Sequence, residues 1–467
     1  MRKDKLHYHL VGICGVSMSG IAAYLQAKGN IVTGSDLKSC TISKLPNCPE
    51  DTRKIKIHKG HNEEYISRDI DVLVRTSAVT PGSEGWKEIR KAKKLGIKIL
   101  KRSELIGKLL LDKVSIGVTG MHGKSTTSSM IAVILEKAGL CPSYLIGAEI
   151  KDIGSSAGLG KPVIPPMNKK KKPVYVPFNT LCDGKVEYFV VEACEHDRSF
   201  LDMKPKIGVI TNIDKEHLDY YKGGLAEIKQ AFKKFIKQIP PDGLLVVWQE
   251  DKNLMPLVKS AKCKVKQVSI NKPWPGLKLK LPGKHNLLNA TIAARVCHEL
   301  GVDHKTIKET LNNFIGASRR FEIKGEKNGT MVIDDYGHHP TEIKTVIQTI
   351  KEFMKKNAKY KMQDTKKFPI SPPIRSAGNF QFPVKSQIIM VFQPHQQART
   401  KILFNDFIKC FDGIDELIIT DVFKIAGREE ETKENLSKKL VEKIKKRNIN
   451  TKYISGCLLY TSDAADE

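Results

Sequence analysis

A short segment of the chain carries the residue types that bind phosphate. Gly120 and Gly123 allow a tight turn whose backbone N–H groups point inward, and Lys124 adds a positive charge. Ser125 follows directly, and its hydroxyl suits a magnesium ion. The G-x-x-G-K-S spacing is shorter than the general nucleotide-binding pattern, because Val118 stands where that pattern has a glycine. We interpret the segment as a phosphate-binding loop, and a glycine-rich turn without a ligand is the alternative.

A strand and a helix must hold this segment in place. The apolar run Val114 to Val118 predicts a buried strand, and Thr126 to Leu135 predicts the helix that follows. The start of that helix adds the positive end of its dipole to the backbone N–H groups. A strand, a loop and a helix in this order therefore predict a pocket for an anionic ligand.

Two further apolar runs end in polar residues that suit the same site. Tyr188 to Val191 predicts a buried strand that leads into Glu192, and an acid at a strand end beside a phosphate loop is placed to hold Mg²⁺. Ile207 to Asn212 predicts the next strand, and His217 lies just beyond it. A strand-end salt bridge is the alternative for Glu192, and a structural role is the alternative for His217.

The amino-terminal residues predict a Rossmann-like unit, with a strand, a glycine turn at Gly12 and Gly15, a helix and a second strand. Cys14 and Ser17 occupy the second and third glycine places of the dinucleotide fingerprint, so a nicotinamide cofactor is poorly supported. Asp36 ends the second strand, where its carboxylate can accept a hydrogen bond from a ribose or from a nearby backbone amide.

Two later segments carry groups that suit a nucleotide. Asn286 and Asn289 lie three residues apart on one face of a predicted helix, and amides match the donors and acceptors of a base edge. An amino-terminal cap of the helix is the alternative for Asn286. Arg319 and Arg320 lie in a predicted domain joint, from which a guanidinium reaches a phosphate when domains close.

These motifs together resemble the Mur ligase family, the amide-forming enzymes of peptidoglycan precursor synthesis. The phosphate loop is similar to that family's ATP loop, and the string Asp334 to Glu342, DDYGHHPTE, resembles a signature of one of its branches. The resemblance implies an α/β protein of three domains. Residues 1–110 would form a Rossmann-like domain for a uridine nucleotide, 111–316 a central P-loop-type ATPase domain with a mostly parallel sheet, and 317–467 a Rossmann-like domain for an amino acid.

The resemblance also implies an activity and its small-molecule partners. ATP and Mg²⁺ would serve to join L-alanine to the carboxylate of UDP-N-acetylmuramate through an acyl phosphate. A recycling ligase that attaches a murein tripeptide to the same sugar nucleotide is the alternative. A basic P-loop protein that binds nucleic acid is a more distant one, and it predicts a salt-sensitive affinity for DNA or RNA.

By the same resemblance, individual residues receive roles. The predicted catalytic residues are Lys124, Glu192 and His217. The predicted magnesium ligands are Ser125, Glu192 and His217. The predicted ATP contacts are Gly120, Met121, His122, Gly123, Lys124, Ser125, Thr126, Asn286, Asn289 and Arg320. The predicted contacts to the uridine nucleotide sugar are Gly12, Gly15, Ser17, Asp36 and Ser77. The predicted residues on the amino-acid side are Asp335, Tyr336, His338, His339, His395 and Arg399.

The chain departs from the family pattern beside some of these residues. Cys194 stands where the family has an aspartate, while Glu192 and Glu195 of the same string, EACE, are kept. Gln396 stands where the family often has an arginine, which removes one bidentate contact to the carboxylate of the incoming amino acid.

Composition limits the class of protein. The 467 residues carry a net charge of +28, but the lysines are spread with little aromatic interleaving, which favours a solvated surface suited to anionic ligands over a nucleic-acid site. The ten cysteines are scattered without a C-x-x-C pair, so we predict free thiols. We expect a cytoplasmic protein without a membrane span, because no secretory signal and no long uncharged apolar run is present.

Two segments of the third predicted domain stand apart. Residues 357–385 are rich in Lys, Pro and Ser and predict a mobile insertion. Residues 457–467 form an atypical tail that departs from the family pattern and predicts a shortened domain.

Overall fold

A computed structural model describes most of the chain. The described residues are 5–42, 45–46, 55–166, 184–218, 220–357, 386–423 and 435–455. The predicted insertion 357–385, apart from its first residue, and the predicted tail 457–467 lie outside these ranges.

The first sheet contains five parallel strands in the order β3-β2-β1-β4-β5. Its strands are β1 (His7–Val11), β2 (Ile31–Asp36), β3 (Lys56–Lys59), β4 (Val72–Arg75) and β5 (Lys98–Lys101). The helices around it are α1 (Val16–Ala27), α2 (Trp86–Lys94) and α3 (Arg102–Leu109), with a 3₁₀ turn at Glu63–Tyr65. Because β1 lies between β2 and β4, the loops after these three strands meet at one edge of the sheet. The Rossmann-like prediction is confirmed, and we call this part the amino-terminal domain.

One prediction made for the amino-terminal domain is wrong. Cys14 and Cys40 form a disulfide, with their Cα atoms 5.6 Å apart, although the sequence suggested free thiols. The reason is topological: Cys14 follows β1 and Cys40 follows β2, so adjacent parallel strands deliver both residues to the same sheet edge. Five other described cysteines are free, namely Cys141, Cys194, Cys263, Cys297 and Cys410.

The second sheet contains seven strands in the order β12-β11-β10-β6-β9-β7-β8. They are β6 (Val114–Thr119), β7 (Ser143–Ile150), β8 (Ser155–Gly158), β9 (Tyr188–Glu192), β10 (Ile207–Ile210), β11 (Leu244–Trp248) and β12 (Lys264–Val268). All neighbours pair in parallel except β7 and β8. The helices are α4 (Lys124–Lys137), α5 (Gly224–Gln238), α6 (Met255–Val258), α7 (Lys284–Glu299) and α8 (His304–Asn313), with 3₁₀ turns at His196–Asp202. We call this part the central domain.

The order of the strands in the central domain positions the site. Every residue of β6 is buried, as expected for a parallel strand covered on both faces. Since β9 and β10 flank β6, the phosphate loop at the end of β6 lies between the segments that carry Glu192 and His217.

The carboxyl-terminal domain begins with a hairpin of β13 (Glu322–Lys327) and β14 (Thr330–Asp334). A parallel sheet follows, built from β15 (Ile389–Phe392), β16 (Glu416–Ile419) and β17 (Asn450–Tyr453). Its helices are α9 (Pro340–Asn357), α10 (Gln397–Ile402), α11 (Phe404–Ile408) and α12 (Leu436–Lys445). Strand β17 was not predicted from the sequence, because its short polar sequence, NTKY, has no apolar run. It becomes a strand by pairing with β16.

The first two domains share a continuous hydrophobic core, while the third has its own. Helix α1 packs against β7 and β8 so closely that a β-carbon at Gly20 would lie 2.8 Å from the β-carbon of Ala157. Leu218, next to His217, packs against the core of the third domain. Among the described helices, none is long and apolar enough to cross a bilayer.

Candidate active site

The phosphate loop has the tight geometry that its glycines suggested. Gly120 has φ +127° and Gly123 has φ +83°, in the region that side chains disfavour. A β-carbon at Gly120 would lie 2.2 Å from Thr211 Oγ1, so the loop backbone approaches the end of β10 too closely for any other residue. Helix α4 begins directly at Lys124 and directs its first N–H groups at the loop.

Lys124 is held by the loop and by a buried acid. Its Nζ donates to the carbonyl oxygens of Gly120 at 2.8 Å and Met121 at 3.2 Å, and to Glu195 Oε1 at 3.0 Å. Glu195 is fully buried. Burial by itself lowers the pKa of Lys124, but the Glu195 carboxylate raises it above its ordinary value. Lys124 therefore stays protonated at neutral pH.

Two predicted magnesium ligands lie together. Ser125 Oγ donates to Glu192 Oε2 at 2.9 Å, and the backbone N–H of Gly147 donates to the same oxygen at 2.9 Å. A hydroxyl and a carboxylate oxygen are ligands that suit Mg²⁺, so these residues fit the ion. The third predicted ligand, His217, has its Nε2 at 3.3 Å from Glu195 Oε1 and the unusual φ of +52°.

A cavity of about 470 Å³ opens between the three domains. Eleven predicted site residues line it: Ser17, Ser77, Met121, Gly123, Lys124, Ser125, Glu192, His217, Arg320, Tyr336 and His338. The structure thus brings residues predicted for three different ligands to one space. Gly120 and His122 of the phosphate loop and Thr126 of α4 are not among the described residues that line the cavity.

Three residues predicted for the uridine nucleotide shape the sheet edge instead of lining the cavity described here. Asp36 Oδ2 accepts from the backbone N–H of Cys14 at 3.0 Å, which is the backbone-amide alternative foreseen for this residue. Gly12 has φ +85°, and a β-carbon there would lie 2.9 Å from Thr76 Cγ2. Gly15 is the residue before the first turn of α1.

The two asparagines of α7 are both buried but differ in their contacts. Asn289 lies against the phosphate loop, since a β-carbon at Gly123 would be 2.6 Å from its Oδ1. Asn286 Nδ2 donates to the carbonyl of Pro282 at 2.8 Å. The cap alternative for Asn286 is wrong, because Gly283, with φ +99°, occupies the capping position.

At the joint to the third domain, aromatic and charged groups stack. The guanidinium carbons of Arg319 and Arg320 lie 4.8 Å and 5.0 Å from the ring centre of Tyr336. Burial lowers the pKa of Arg320, but nearby Glu342 and Asp335 raise it above its ordinary value, so this arginine is a fixed cation beside the cavity.

Asp335, within the DDYGHHPTE string, accepts hydrogen bonds from two backbone N–H groups. Its Oδ2 accepts from the backbone N–H of Phe321 at 2.8 Å and its Oδ1 from that of Gly337 at 2.7 Å. Burial raises the pKa of Asp335 to about 6, against the opposing effect of Arg320. Asp335 therefore ties the domain joint to the turn that precedes α9.

The histidines on the amino-acid side form a cluster. The ring of His395 lies 5.7 Å from that of His338 and 6.2 Å from that of Tyr336. His338 Nδ1 is 3.0 Å from the carbonyl oxygen of Tyr336, and His339 Nε2 is 3.0 Å from that of Lys215 in the central domain.

Arg399 makes a buried ion pair across the domain boundary. Its Nε donates to Glu216 Oε1 at 2.8 Å, and each side chain is 4% exposed. Burial raises the pKa of Glu216, but Arg399 lowers it well below its ordinary value, so both groups are charged. Gln396 lies at the start of α10 with φ +69°, and its backbone N–H donates to the carbonyl of Phe423 at 3.1 Å.

Among the described residues, some acids that hold assigned cations of this site received no role from the sequence. Glu195 contacts Lys124, Glu216 contacts Arg399, and Glu342 contacts His122. Each stands next to or near an assigned residue, in the strings EACE, KEH and HPTE. The cationic partner of each acid lies far away in the sequence. These pairs therefore form only in the folded chain.

Comparison with known proteins agrees with this architecture. Residues 7–113 match the catalytic domain of the Mur ligase family, 118–276 match the Mur ligase middle domain, and 319–360 match the Mur ligase glutamate ligase domain. A UDP-N-acetylmuramate–L-alanine ligase from Caldicellulosiruptor saccharolyticus is 35% identical over 474 residues, which cover 96% of this chain and 90% of that protein.

Two solved structures have similar folds. The UDP-N-acetylmuramate–alanine ligase from Thermotoga maritima gives a TM-score of 0.68 at 23% identity, over 98% of this chain and 94% of that one. The UDP-N-acetylmuramate:L-alanyl-gamma-D-glutamyl-meso-diaminopimelate ligase from Neisseria meningitides gives 0.54 at 25% identity, over 66% of this chain and 98% of that one. With three family domains matched in order and a relative aligned along nearly its whole length, the chain belongs to the Mur ligase family.

Proposed function

We propose that this protein is an ATP-dependent ligase that joins L-alanine to the carboxylate of UDP-N-acetylmuramate. The observation that carries the proposal is the single cavity in which a phosphate loop, an acid at a strand end and residues of all three domains meet. The full-length similarity to a relative named for this reaction supports the choice of substrates.

The reaction has two steps. A carboxylate oxygen of the muramate attacks the γ-phosphorus of ATP, which breaks the bond to the β-phosphate and releases ADP. The amine of L-alanine then attacks the acyl carbon of the resulting acyl phosphate. An amide bond forms, inorganic phosphate leaves, and the amine loses a proton. The three domains must close to bring the three substrates within reach of one another.

Lys124 supplies positive charge to the phosphoryl group during transfer. It lies at the start of α4, remains protonated because of Glu195, and faces the cavity. A fixed cation beside the transferred group stabilises the charge that develops on its oxygens. Arg320 adds a second cation from the domain joint.

We propose Ser125, Glu192 and His217 as the residues that hold Mg²⁺, with Lys124, Glu192 and His217 as the catalytic set. When bound, Mg²⁺ neutralises phosphate charge. The Glu192 carboxylate is already oriented by hydrogen bonds from Ser125 Oγ and from the backbone N–H of Gly147. Its second oxygen could therefore bind the ion without a rearrangement at the end of β9.

The remaining predicted contacts divide among the three substrates. ATP would lie against the phosphate loop, with Asn286 and Asn289 at the base and Arg320 at the phosphates. The sugar nucleotide would lie at the edge formed by Gly12, Gly15, Ser17, Asp36 and Ser77. L-Alanine would approach from the side of the third domain that carries Asp335, Tyr336, His338, His339, His395 and Arg399.

The domain limits 1–110, 111–316 and 317–467 and a cytoplasmic location are parts of the same proposal. The positions of the described sheets support these limits, with the five-stranded sheet in the first segment, the seven-stranded sheet in the second, and the hairpin and three-stranded sheet in the third.

Phosphate release tests the proposed function. The purified chain is given ATP, Mg²⁺ and UDP-N-acetylmuramate with L-alanine, glycine, L-serine or the tripeptide. We expect release that needs both the sugar nucleotide and L-alanine, that disappears in Lys124→Ala, and that persists in Lys137→Ala at the exposed end of the same helix. Preference for the tripeptide would identify the recycling ligase, and salt-sensitive binding of DNA or RNA without ligation would favour the nucleic-acid alternative.

A further inference from the structure

His122 lies in the phosphate loop, but its side chain is directed at the third domain. Its Nδ1 is 3.0 Å from Glu342 Oε1, at the start of α9, and its Nε2 is 3.4 Å from Asp214 Oδ2, in the segment after β10. The side chain is 18% exposed. A single imidazole thus lies between carboxylates of two domains.

The two carboxylates are themselves part of a network at the start of α9. Glu342 Oε2 accepts from the backbone N–H groups of His338 at 3.0 Å and His339 at 3.3 Å. Thr341 Oγ1 donates to Asp214 Oδ2 at 2.9 Å. Glu342 therefore orders the first turn of α9, and Asp214 holds that turn against the central domain.

The backbone of His122 is held by hydrogen bonds to the residues that follow β10. Its N–H donates to Asn212 Oδ1 at 3.0 Å, and its carbonyl accepts from Asn212 Nδ2 at 2.8 Å and from Thr211 Oγ1 at 2.6 Å. A phosphate bound in the loop would therefore lie against the same fixed segment that carries the imidazole.

A metal ion is the competing interpretation of this cluster, because ligand atoms of His122, Asp214 and His339 all lie within 4.8 Å of one another. The hydrogen bonds argue against it. His122 can donate to both Asp214 and Glu342 only when both ring nitrogens carry a proton. The N–H of Thr341 already donates to His339 Nδ1 at 3.2 Å. Burial lowers the pKa of His122, but the two carboxylates raise it to about 10, so a metal would have to displace a tightly held proton.

We propose that His122 is a positioning residue whose positive charge couples occupancy of the phosphate loop to closure of the third domain. The inference rests on the proposed function, in which ATP fills the loop. Without the cation, Asp214 and Glu342 would lose the positive charge that lies between them, and the start of α9 would be held less tightly against the loop. Since α9 follows directly on the string that carries Tyr336 and His338, this loss should affect the amino-acid side of the site.

The charge, and not the ring, is the feature to test. His122→Gln keeps a polar side chain without the cation, and His122→Lys keeps the cation without the ring. His304→Gln, an exposed histidine on α8, is the matched control. The readouts are the KM for L-alanine in the phosphate-release assay and the Kd of a non-hydrolysable ATP analogue measured by calorimetry.

In His122→Gln we expect the KM for L-alanine to rise at least about 10-fold, the effect of losing a charge-assisted hydrogen bond, while the analogue binds within about threefold of the unsubstituted protein. His122→Lys should recover most of the KM, and His304→Gln should change neither quantity. A lost affinity for the analogue with an unchanged KM would make His122 a nucleotide ligand and overturn the proposal. Equal behaviour of the Lys and Gln variants would overturn it as well.

A second measurement is independent of which amino acid the enzyme uses. The decrease in radius of gyration that a saturating ATP analogue causes, measured by solution scattering, is compared in the unsubstituted protein, His122→Gln, Glu342→Gln and the double variant. Coupling predicts that the double variant loses no more of this decrease than the larger single loss. Additive losses would contradict the proposal even if phosphate release fails with every amino acid, so failure of the proposed function and failure of the coupling remain distinguishable.

Discussion

Among the individual residues of the site, the cationic side chains are paired with carboxylates. Lys124, Arg399 and His122 are each held by a carboxylate at 3.0 Å or less. A buried lysine or histidine keeps its proton only when such a carboxylate offsets the loss of water, and a buried arginine, which is always charged, needs the carboxylate to offset the same loss. The acids that hold the assigned cations are thus as important to the site as the cations themselves.

Glu195→Gln tests this at the phosphate loop. The variant keeps the shape of the side chain but removes the negative charge that holds Lys124, so the lysine loses its fixed orientation. We expect phosphate release to fall roughly 10- to 100-fold, in line with the loss of one charge-assisted hydrogen bond. Glu326→Gln, on the exposed hairpin, is the control and should keep full activity. Full activity of Glu195→Gln would show that the loop alone positions Lys124.

The charge on His122 predicts a pH dependence of stability. Its pKa rises from 6.5 to about 10 on folding, so the folded chain binds this proton more tightly than the unfolded chain does. The resulting stabilisation is fully present below about pH 6.5 and is lost as the pH rises toward 10. Asp214 and Glu342 face the ring directly, and His339 lies 5.1 Å away.

Thermal unfolding of the unsubstituted protein and His122→Gln at pH 6, 7.5 and 9 measures this effect. We expect the difference in Tm to be largest at pH 6 and to shrink by pH 9. A difference that stays constant over this range would mean that the ring contributes packing and no charge.

At the scale of elements, the strand, loop and helix around Gly120 form a unit with no spare space. Gly120→Ala would place a β-carbon 2.2 Å from Thr211 Oγ1, at a φ of +127°. We expect loss of ADP binding, measured by calorimetry, because the loop must move to relieve the contact.

Gly139→Ala is the control for that substitution. Gly139 ends the same helix with φ +73° and has open space around its α-carbon. The strain of the left-handed backbone should cost about 1 kcal/mol of stability while ADP binding is kept. If Gly120→Ala also binds ADP normally, the loop tolerates a side chain and the close approach to β10 has no role in binding.

At the scale of the whole molecule, contacts between domains place the third domain over the site. Glu216 and Arg399 form such a contact, with both side chains 4% exposed. Breaking a buried pair leaves one charge uncompensated, which costs several kcal/mol. The position of the third domain therefore depends on one ion pair more than on the many surface charges.

Glu216→Gln should lower the free energy of unfolding by about 3–5 kcal/mol, measured by denaturant titration. Glu416→Gln breaks the exposed pair with Lys452, whose side chain is 61% exposed, and should cost less than about 1 kcal/mol. Equal costs of the two substitutions would mean that water screens the Glu216 site in solution.

The sequence alone was sufficient to predict the phosphate loop, the α/β fold and the family. These depend on local patterns: a buried apolar strand, glycines where the backbone needs positive φ, and a lysine at the start of a helix. Such patterns lie within about twenty residues, so they can be read without knowledge of the fold.

The tertiary structure alone decided which groups meet. The Cys14–Cys40 disulfide, the strand β17, and the pairs Lys124–Glu195, His122–Glu342 and Arg399–Glu216 all join residues from different elements. The contact of His122 with ATP stays a prediction from its loop, and the fold adds that its side chain faces an acid 220 residues away in the chain. Local sequence fixes a residue's chemistry and its element, but the order of strands in the sheet and the packing of the domains determine which charges become neighbours.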